Sequence, residues 1–403
     1  MTSSPIGCSY ERIAELPVVI DGYTLELLSR RVSTGFRRFT TVFRLTGAGD
    51  EGVGEDVTYE AVEHRRAQSA GPVLPLAGTW TLEAFSRHLD RLDMFADRPP
   101  THEVSRTYRR WALESAALDL ALRQAGRTLH ELLGRAPAPV RFVVSLNLGR
   151  EPSCAPLLSR RAVCANVRFK LDATSEWGDP LLECLAASGT VDAIDFKGVY
   201  QGTLSATRTD PDLYRRVAEA LPDVWLEDPD LSDPAARVAL HSQRHRVTWD
   251  APIHNAADIA AQPWPPRTVN IKPSRFGTLR ALLDTYDHCS THGIGVYGGG
   301  QYELGPGRGQ AQYLASLFHP DAPNDLAPAG FDDPVPPADV PCSPMTLTTD
   351  PVGFGAQHEP RTRADAQPGS ANSRNPAHGV PAAIGERPAS ARLPTQITTK
   401  DLP

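Results

Sequence analysis

Five charged residues close five short apolar runs in the second half of this chain, and their spacing constrains the fold more than anything else in the sequence. Lys170 ends Val167-Arg168-Phe169-Lys170, Asp195 ends Val191-Asp192-Ala193-Ile194-Asp195, and Glu227 ends Val224-Trp225-Leu226-Glu227. Asp250 ends Val247-Thr248-Trp249-Asp250, and Lys272 ends Val269-Asn270-Ile271-Lys272. The intervals are 25, 32, 23 and 22 residues, each the length of one strand and one helix. The first of these runs spans Asn166–Leu171 in full, and a further run at Val140–Leu146 extends the series at its start. Helical patterns lie between the runs. Asp210-Pro-Asp-Leu-Tyr is a capped helix start, with Leu213, Val217 and Leu221 four apart, and Arg275–His292 carries Leu279, Leu282, Leu283 and Tyr286 on one face. Repeated strand–helix units make a parallel sheet. The open dinucleotide- and nucleotide-binding sheets carry a G-x-G-x-x-G or P-loop signature that is missing here, so the expectation is a closed (β/α) barrel. In a barrel all five side chains meet at the C-terminal mouth.

The first part of the chain reads differently. Ile20–Leu28 and Phe36–Leu45 have strand composition, and residues 81–134 turn helical. In Trp111–Leu122 an apolar face runs through Leu113, Ala117, Leu120 and Ala121; Gly126 ends that helix, and Thr128–Leu133 is a short second one. The expected organisation is an α+β domain over 18–135, the barrel over 136–356, and a disordered tail over 357–403. The tail is rich in Pro, Ala, Arg, Ser and Gln, has no aromatic residue, and cannot bury enough apolar surface to offset its ordering entropy.

Of the 403 residues, 40% are hydrophobic and 22% charged, the balance of a globular enzyme. A net charge of −7 with no Lys/Arg run gives no reason to expect nucleic acid as a partner. No run approaches the roughly 20 apolar residues of a membrane span, and the N-terminus lacks a secretory pattern. The six cysteines are scattered without a Cys-x-x-Cys pair, so reduced thiols and a cytoplasmic location are expected.

The five residue types suit one chemistry. Three carboxylates from neighbouring strands, Asp195, Glu227 and Asp250, form an all-oxygen cage suited to Mg²⁺, with Mn²⁺ as a substitute. A base that takes the α-proton of a carboxylate substrate leaves charge on that same carboxylate, where a bound cation stabilises it. Lys170 and Lys272 supply two bases from strands across the mouth. A lysine acts as a base only when neutral, and Arg168, two residues before Lys170, is placed as a neighbouring cation that depresses its pKa.

At this point the chain resembles the muconate-lactonising (muconate cycloisomerase-like) subgroup of the enolase superfamily. That subgroup carries Lys-x-Lys, then Asp, Glu and Asp, then Lys on successive strands; Lys170, Asp195, Glu227, Asp250 and Lys272 fall on those positions. Ala112-Leu-Glu-Ser-Ala-Ala-Leu-Asp-Leu-Ala resembles the helix before the barrel, and Trp225-Leu-Glu-Asp-Pro the fourth-strand signature. Gly293–Glu303 resembles the seventh-strand segment, with Glu303 on the family's glutamate, and Asp350–Gly355 resembles the closing segment. The resemblance implies a small-molecule carboxylate substrate, a homo-oligomer, and a capping domain whose loops, Ser33–Arg38 and Gly54–Tyr59 by position, close over the mouth. It departs at Arg168, which replaces a lysine. Lys197 stands where Asn is common, placed either to meet a substrate anion or to weaken the metal site. Ala251 stands where an acidic residue is common. Gly298–Gly300 and Gly305-Pro-Gly-Arg-Gly309, with Arg308, read either as an anion cradle or as a Gly-rich turn.

The functional expectation is an isomerase (racemase, epimerase or cycloisomerase) or a carbon–oxygen lyase. The competing expectation, motivated by Lys197 and Ala251, is a catalytically impaired homologue that binds a ligand or a partner. An acid-sugar dehydratase with a His-Asp dyad is disfavoured, because Lys272 occupies the place of the dyad's aspartate.

Overall fold

The structure is a computed structural model and describes residues 9–31, 37–95, 98–199 and 208–355. The first domain opens with β1 (Pro17–Ile20), β2 (Gly22–Arg31), β3 (Arg37–Gly47) and β4 (Asp50–Asp56). Then come α1 (Ala61–Ala70), β5 (Gly78–Thr81), α2 (Leu82–Leu89), α3 (Val104–Gln124) and α4 (Leu129–Leu133). β2, β3 and β4 form an antiparallel meander, and β1 pairs with β5. The mixture of strands and helices matches the α+β expectation.

α3 carries this domain. Leu113, Leu118, Leu120 and Leu122 are all buried, on every side of the helix. Each such leucine stabilises by about 1.5–3 kcal/mol, and the charges the helix buries are paired, Arg109 with Asp56, Arg110 with Glu114 and Asp119 with Arg123. β3 and β4 pack on α3 from one side and the barrel from another. The close approach needs Gly54, where a Cβ would run into the Ala112 carbonyl oxygen. α4 begins as its sequence requires: Thr128 accepts from the Glu131 amide and Glu131 reaches back to the Thr128 amide, a capping box.

The second domain alternates strand and helix. It runs through β6 (Val143–Asn147), α5 (Ala155–Val163), β7 (Arg168–Asp172), α6 (Asp179–Ser188), β8 (Val191–Asp195) and α7 (Pro211–Ala220). It continues with β9 (Trp225–Glu227), α8 (Pro234–Leu240), β10 (Val247–Thr248), α9 (Ala256–Ala260) and β11 (Thr268–Ile271). α10 (Pro273–Phe276), α11 (Leu279–His292), β12 (Gly295–Gly298) and α12 (Pro306–Phe318) complete it. β6 to β10 form one parallel sheet in chain order, and β11 with β12 a second. Single parallel bridges join the two: Trp249 to Val269, Gly299 to Asp325, and Phe142 to Asn324. The eighth place in this ring is a short extended segment at Asn324–Asp325. Asn324 secures it with its side chain, accepting from the Gly298 amide at 2.7 Å and donating to the Arg141 carbonyl at 2.9 Å.

Four expectations need correction or qualification. Arg275–His292 is two helices, because Gly277 takes φ +73° and Thr278 caps a new start by accepting from the Ala281 amide. The cysteines are not all reduced thiols: Cys154 is bonded to Cys184 and Cys164 to Cys342, with Cα–Cα distances of 6.6 and 5.7 Å, and among the described residues Cys289 is free and buried. These two bridges fasten both ends of α5, whose caps are Cys154 and Cys164. Gly54–Tyr59 is no loose lid, since Glu55 and Asp56 are fully buried and paired, and Tyr59 Oη donates to Gln301 at 2.8 Å. Residues 33–36 of the other expected lid and the whole expected tail, 357–403, lie outside the described residues. Among the described residues no helix is long and apolar enough to cross a membrane.

Candidate active site

The ring brings the five strand-end residues together at one end of the parallel strands, where Lys170, Asp195, Glu227, Asp250 and Lys272 are all buried. Each is placed by its strand. Asp172 and Asp195 are direct neighbours across β7 and β8, Asp195 and Glu227 across β8 and β9. Lys272 follows β11 as the N-cap of α10. β7 and β11 stand four places apart in a ring of eight, so the two lysines rise from opposite sides.

Lys170 Nζ donates to Glu227 Oε1 and lies 3.6 Å from both Asp195 Oδ2 and Asp325 Oδ2. Lys272 Nζ donates to Asp250 Oδ2 at 2.8 Å. Arg275, buried on α10, adds a second cation to Asp250, with Nη1 2.6 Å from Oδ1 and a further bond to the Asp250 carbonyl. The carboxylates within mutual reach of one ion are Asp195, Glu227 and Asp228, with an oxygen from each inside 4.8 Å of the others. The expected third ligand, Asp250, is instead held by Lys272 and Arg275. Asp228 takes its place in the group because φ of +49° turns its side chain over the mouth, where it accepts from the Asp250 and Ala251 amides at 2.8 and 2.9 Å.

Charge and burial set the protonation. Burial, then the surrounding carboxylates, push Glu227 and Asp228 well above the usual carboxylate range, against the pull of Lys170 on Glu227. Burial works against ionised Asp195 as well, but Lys197 and Lys170 outweigh it and hold the group low; Arg275 and Lys272 do the same for Asp250. Burial disfavours the Lys170 ammonium, yet Glu227, Asp195, Asp325 and Asp250 hold its pKa well above the ordinary lysine value. The expected depression by Arg168 is absent for a geometric reason. Arg168 donates to Asp192 at 2.7 Å and to the Gly189 carbonyl at 3.1 Å, beside the first residues of β8. It sits two strand residues below Lys170, about 6.6 Å away.

Lys197 lies at the mouth, with its amide on Asp195 Oδ1 at 2.9 Å, its Nζ on Asp195 Oδ2, and Asp172 Oδ1 at 3.3 Å. Glu303 turns back on its own loop, accepting from the Gln301 amide at 2.7 Å, with Arg308 Nε 3.6 Å away. Arg308 donates to the Ala327 carbonyl instead of opening to the mouth. The Gly-rich stretch does cradle an anion, but that anion belongs to the chain: Glu55 accepts from the amides of Leu304, Gly305 and Gly307.

Besides Asp228, four residues around the cluster went unseen in the sequence. Tyr297 Oη donates to Glu227 Oε2, and Asn270 Nδ2 lies 3.5 Å from the same oxygen. Their positions on β12 and β11 were readable, but their inward direction was not. Arg275 opened an expected helix and carried no signal of pointing back. Asp325 sits in a segment with no apolar run to mark it as a strand.

A cluster of buried carboxylates with oxygen donors only, two of them driven towards protonation by burial and then by their neighbours' charge, fits a hard divalent cation. The comparisons with known proteins agree with this architecture. Two domain families match in order: the N-terminal domain of DUF8230, a domain of unknown function, over residues 11–132, and its C-terminal domain over 136–333. N-succinylamino acid racemase of Thermus thermophilus is 27% identical over 343 residues, covering 79% of this chain and 84% of that protein. Among solved structures, muconate lactonizing enzyme from Pseudomonas putida aligns with a TM-score of 0.56 at 20% identity, over 76% of this chain and 88% of its own. An enolase superfamily member from Listeria innocua aligns with a TM-score of 0.56 at 18% identity, over 77% and 86%. With both domains of DUF8230 matched in order over 11–132 and 136–333, the chain belongs to that two-domain family, and over about three quarters of its length it has the fold of muconate lactonizing enzyme and of the Listeria enolase superfamily member.

Proposed function

We propose that the chain is an isomerase that removes the α-proton of a small carboxylate substrate with the help of a divalent cation, Mg²⁺ or Mn²⁺. The outcome is racemisation or epimerisation, or cycloisomerisation; dehydration is the lyase alternative. The observation that carries this reading is the placement of two buried lysines, Lys170 and Lys272, on opposite sides of one carboxylate cluster. One lysine, neutral once a cation on Glu227 and Asp195 offsets the carboxylate charge that now holds Lys170 protonated, would take a proton from one face of a carbon held between them, and the other would return a proton to the opposite face. Asp195 and Glu227 would hold the cation, with Asp228 or Asp250 as the third carboxylate. When bound, the cation stabilises the negative charge that develops on the substrate carboxylate. Tyr297 and Asn270 orient Glu227, and Arg275 orients Asp250. Residues 18–135 cap the mouth of the barrel formed by 136–356 and keep water from it.

The test is solvent deuterium incorporation, read by mass spectrometry, into N-acyl amino acids, dipeptides and hydroxy acids with Mg²⁺ present. Incorporation that vanishes with EDTA and in Lys170→Ala establishes the chemistry. A second reading, a catalytically impaired homologue that binds a carboxylate ligand or a partner, is favoured by the cations already seated on Asp195 and Asp250. Carboxylate binding without any exchange across the library would select it.

A further inference from the structure

We propose that Lys197 is a tethered counter-ion: its ammonium holds Asp195 when no divalent cation is present, must be displaced for one to bind, and so sets the metal affinity of the site. The proposal rests on the metal-centre reading given above and adds a regulator to it.

Both oxygens of Asp195 are engaged by the same residue, Oδ1 by the Lys197 amide at 2.9 Å and Oδ2 by its ammonium. That double grip needs an unusual backbone. Lys197 sits at φ +53°, in the left-handed region that an L-residue with a side chain rarely adopts. The turn folds the residue back over the strand end it has just left. Only a few non-glycine residues share this conformation among those described, and Asp228 and Tyr302 are, like Lys197, in loops at the mouth. Strain of this kind gathers where a site needs a side chain aimed against the run of the chain.

Two ammonium groups face Asp195, and they differ in freedom. Lys170 is 1% exposed and locked onto Glu227, whereas the Lys197 side chain is 21% exposed and has a second anion in reach. That second anion is Asp172, 3.3 Å from Nζ and directly opposite Asp195 in the strand register. An ammonium leaving Asp195 therefore has a berth on Asp172 and gives up little Coulomb energy in the move. A divalent cation on Asp195 repels an ammonium bound to the same carboxylate, and at close range in a partly buried site that repulsion is large. Lys197 thus weakens the metal site without blocking it.

The test is isothermal titration of MgCl₂ into the full chain, Lys197→Met, Lys197→Gln and Asp195→Asn, with melting curves of each. We expect both Lys197 variants to bind Mg²⁺ on the order of tenfold more tightly than the unchanged chain, and Asp195→Asn to give no heat. Equal or weaker binding in both Lys197 variants, with Asp195→Asn still silent, overturns the counter-ion and leaves the metal centre standing. Silence from every form overturns both. Collapse of both Lys197 variants in the melting curves would make Lys197 a structural cation and overturn the proposal as well.

Discussion

Glu55 Oε2 lies 2.9 Å from the amide nitrogen of Gly307. This one bond joins the last strand of the first domain's meander to the first turn of α12 in the barrel. Glu55 also accepts from Leu304 and Gly305, so a single buried carboxylate caps a helix that belongs to the other domain. Anions at helix N-termini are favoured by the exposed amides and the helix dipole. Glu55→Ala leaves those amides buried without an acceptor and is expected to cost about 2–4 kcal/mol, with Glu55→Gln costing less. Urea denaturation midpoints measure it; a loss below about 0.5 kcal/mol for Glu55→Ala would remove Glu55 as the link.

The opposed lysines predict a split between exchange and inversion. With a substrate identified, Lys272→Ala should still exchange the α-proton of one enantiomer with solvent deuterium while racemisation falls by about 10²-fold or more. Unchanged racemisation would end the two-base scheme.

The identity of the third metal carboxylate is open to a direct comparison. A cation that binds only the folded chain stabilises it by about 2.7 kcal/mol at one hundred times its Kd, so Mg²⁺ should raise the melting temperature. Asp195→Asn and Glu227→Gln should abolish the rise. If Asp228 is the third ligand, as the grouping of oxygens indicates, Asp228→Asn should remove more of the rise than Asp250→Asn. The reverse order would return the role to Asp250, and with it the displacement of Lys272 and Arg275.

Acid should also act on Asp56, in the first domain. Asp56 Oδ2 accepts from Arg109 Nε at 2.9 Å. Burial opposes its ionisation, but Arg109, His64 and the Thr58 hydrogen bonds outweigh it and hold its pKa below the ordinary 3.8. A carboxylate depressed on folding contributes stability above its unfolded pKa and loses it as pH falls towards the folded value. Asp56→Asn should therefore cost about 3 kcal/mol at pH 7, and the gap from the unchanged chain should narrow below pH 4. Urea midpoints that differ by the same amount at pH 7 and pH 3 would contradict this.

The two disulfides predict sensitivity to reductant. Cys164 and Cys342 are 178 residues apart, and opening such a loop costs about 2–4 kcal/mol in the usual range. Treatment with a phosphine reductant should lower the melting temperature, and Cys342→Ser should lose most of that response. Identical melting with and without reductant would argue that Cys342 pairs with nothing in solution.

The sequence by itself determined the architecture and the inventory of the mouth. Apolar runs one strand–helix unit apart fix a parallel ring, and the last residue of each run must then face the same end. Lys170, Asp195, Glu227, Asp250 and Lys272 were legible for that reason. The cap at Asp210 was legible too, because capping is written in neighbouring residues. Tertiary structure alone decided who pairs with whom. Arg275 claims Asp250 across a turn made by α10, Asp325 reaches Lys170 from a segment without strand composition, and Glu55 fills a glycine-rich cradle some 250 residues away. Electrostatic partners depend on distances of a few ångströms between residues far apart in the chain, and no local pattern encodes them. Arg168 shows the same limit, since two residues along one strand separate the mouth of the barrel from its floor.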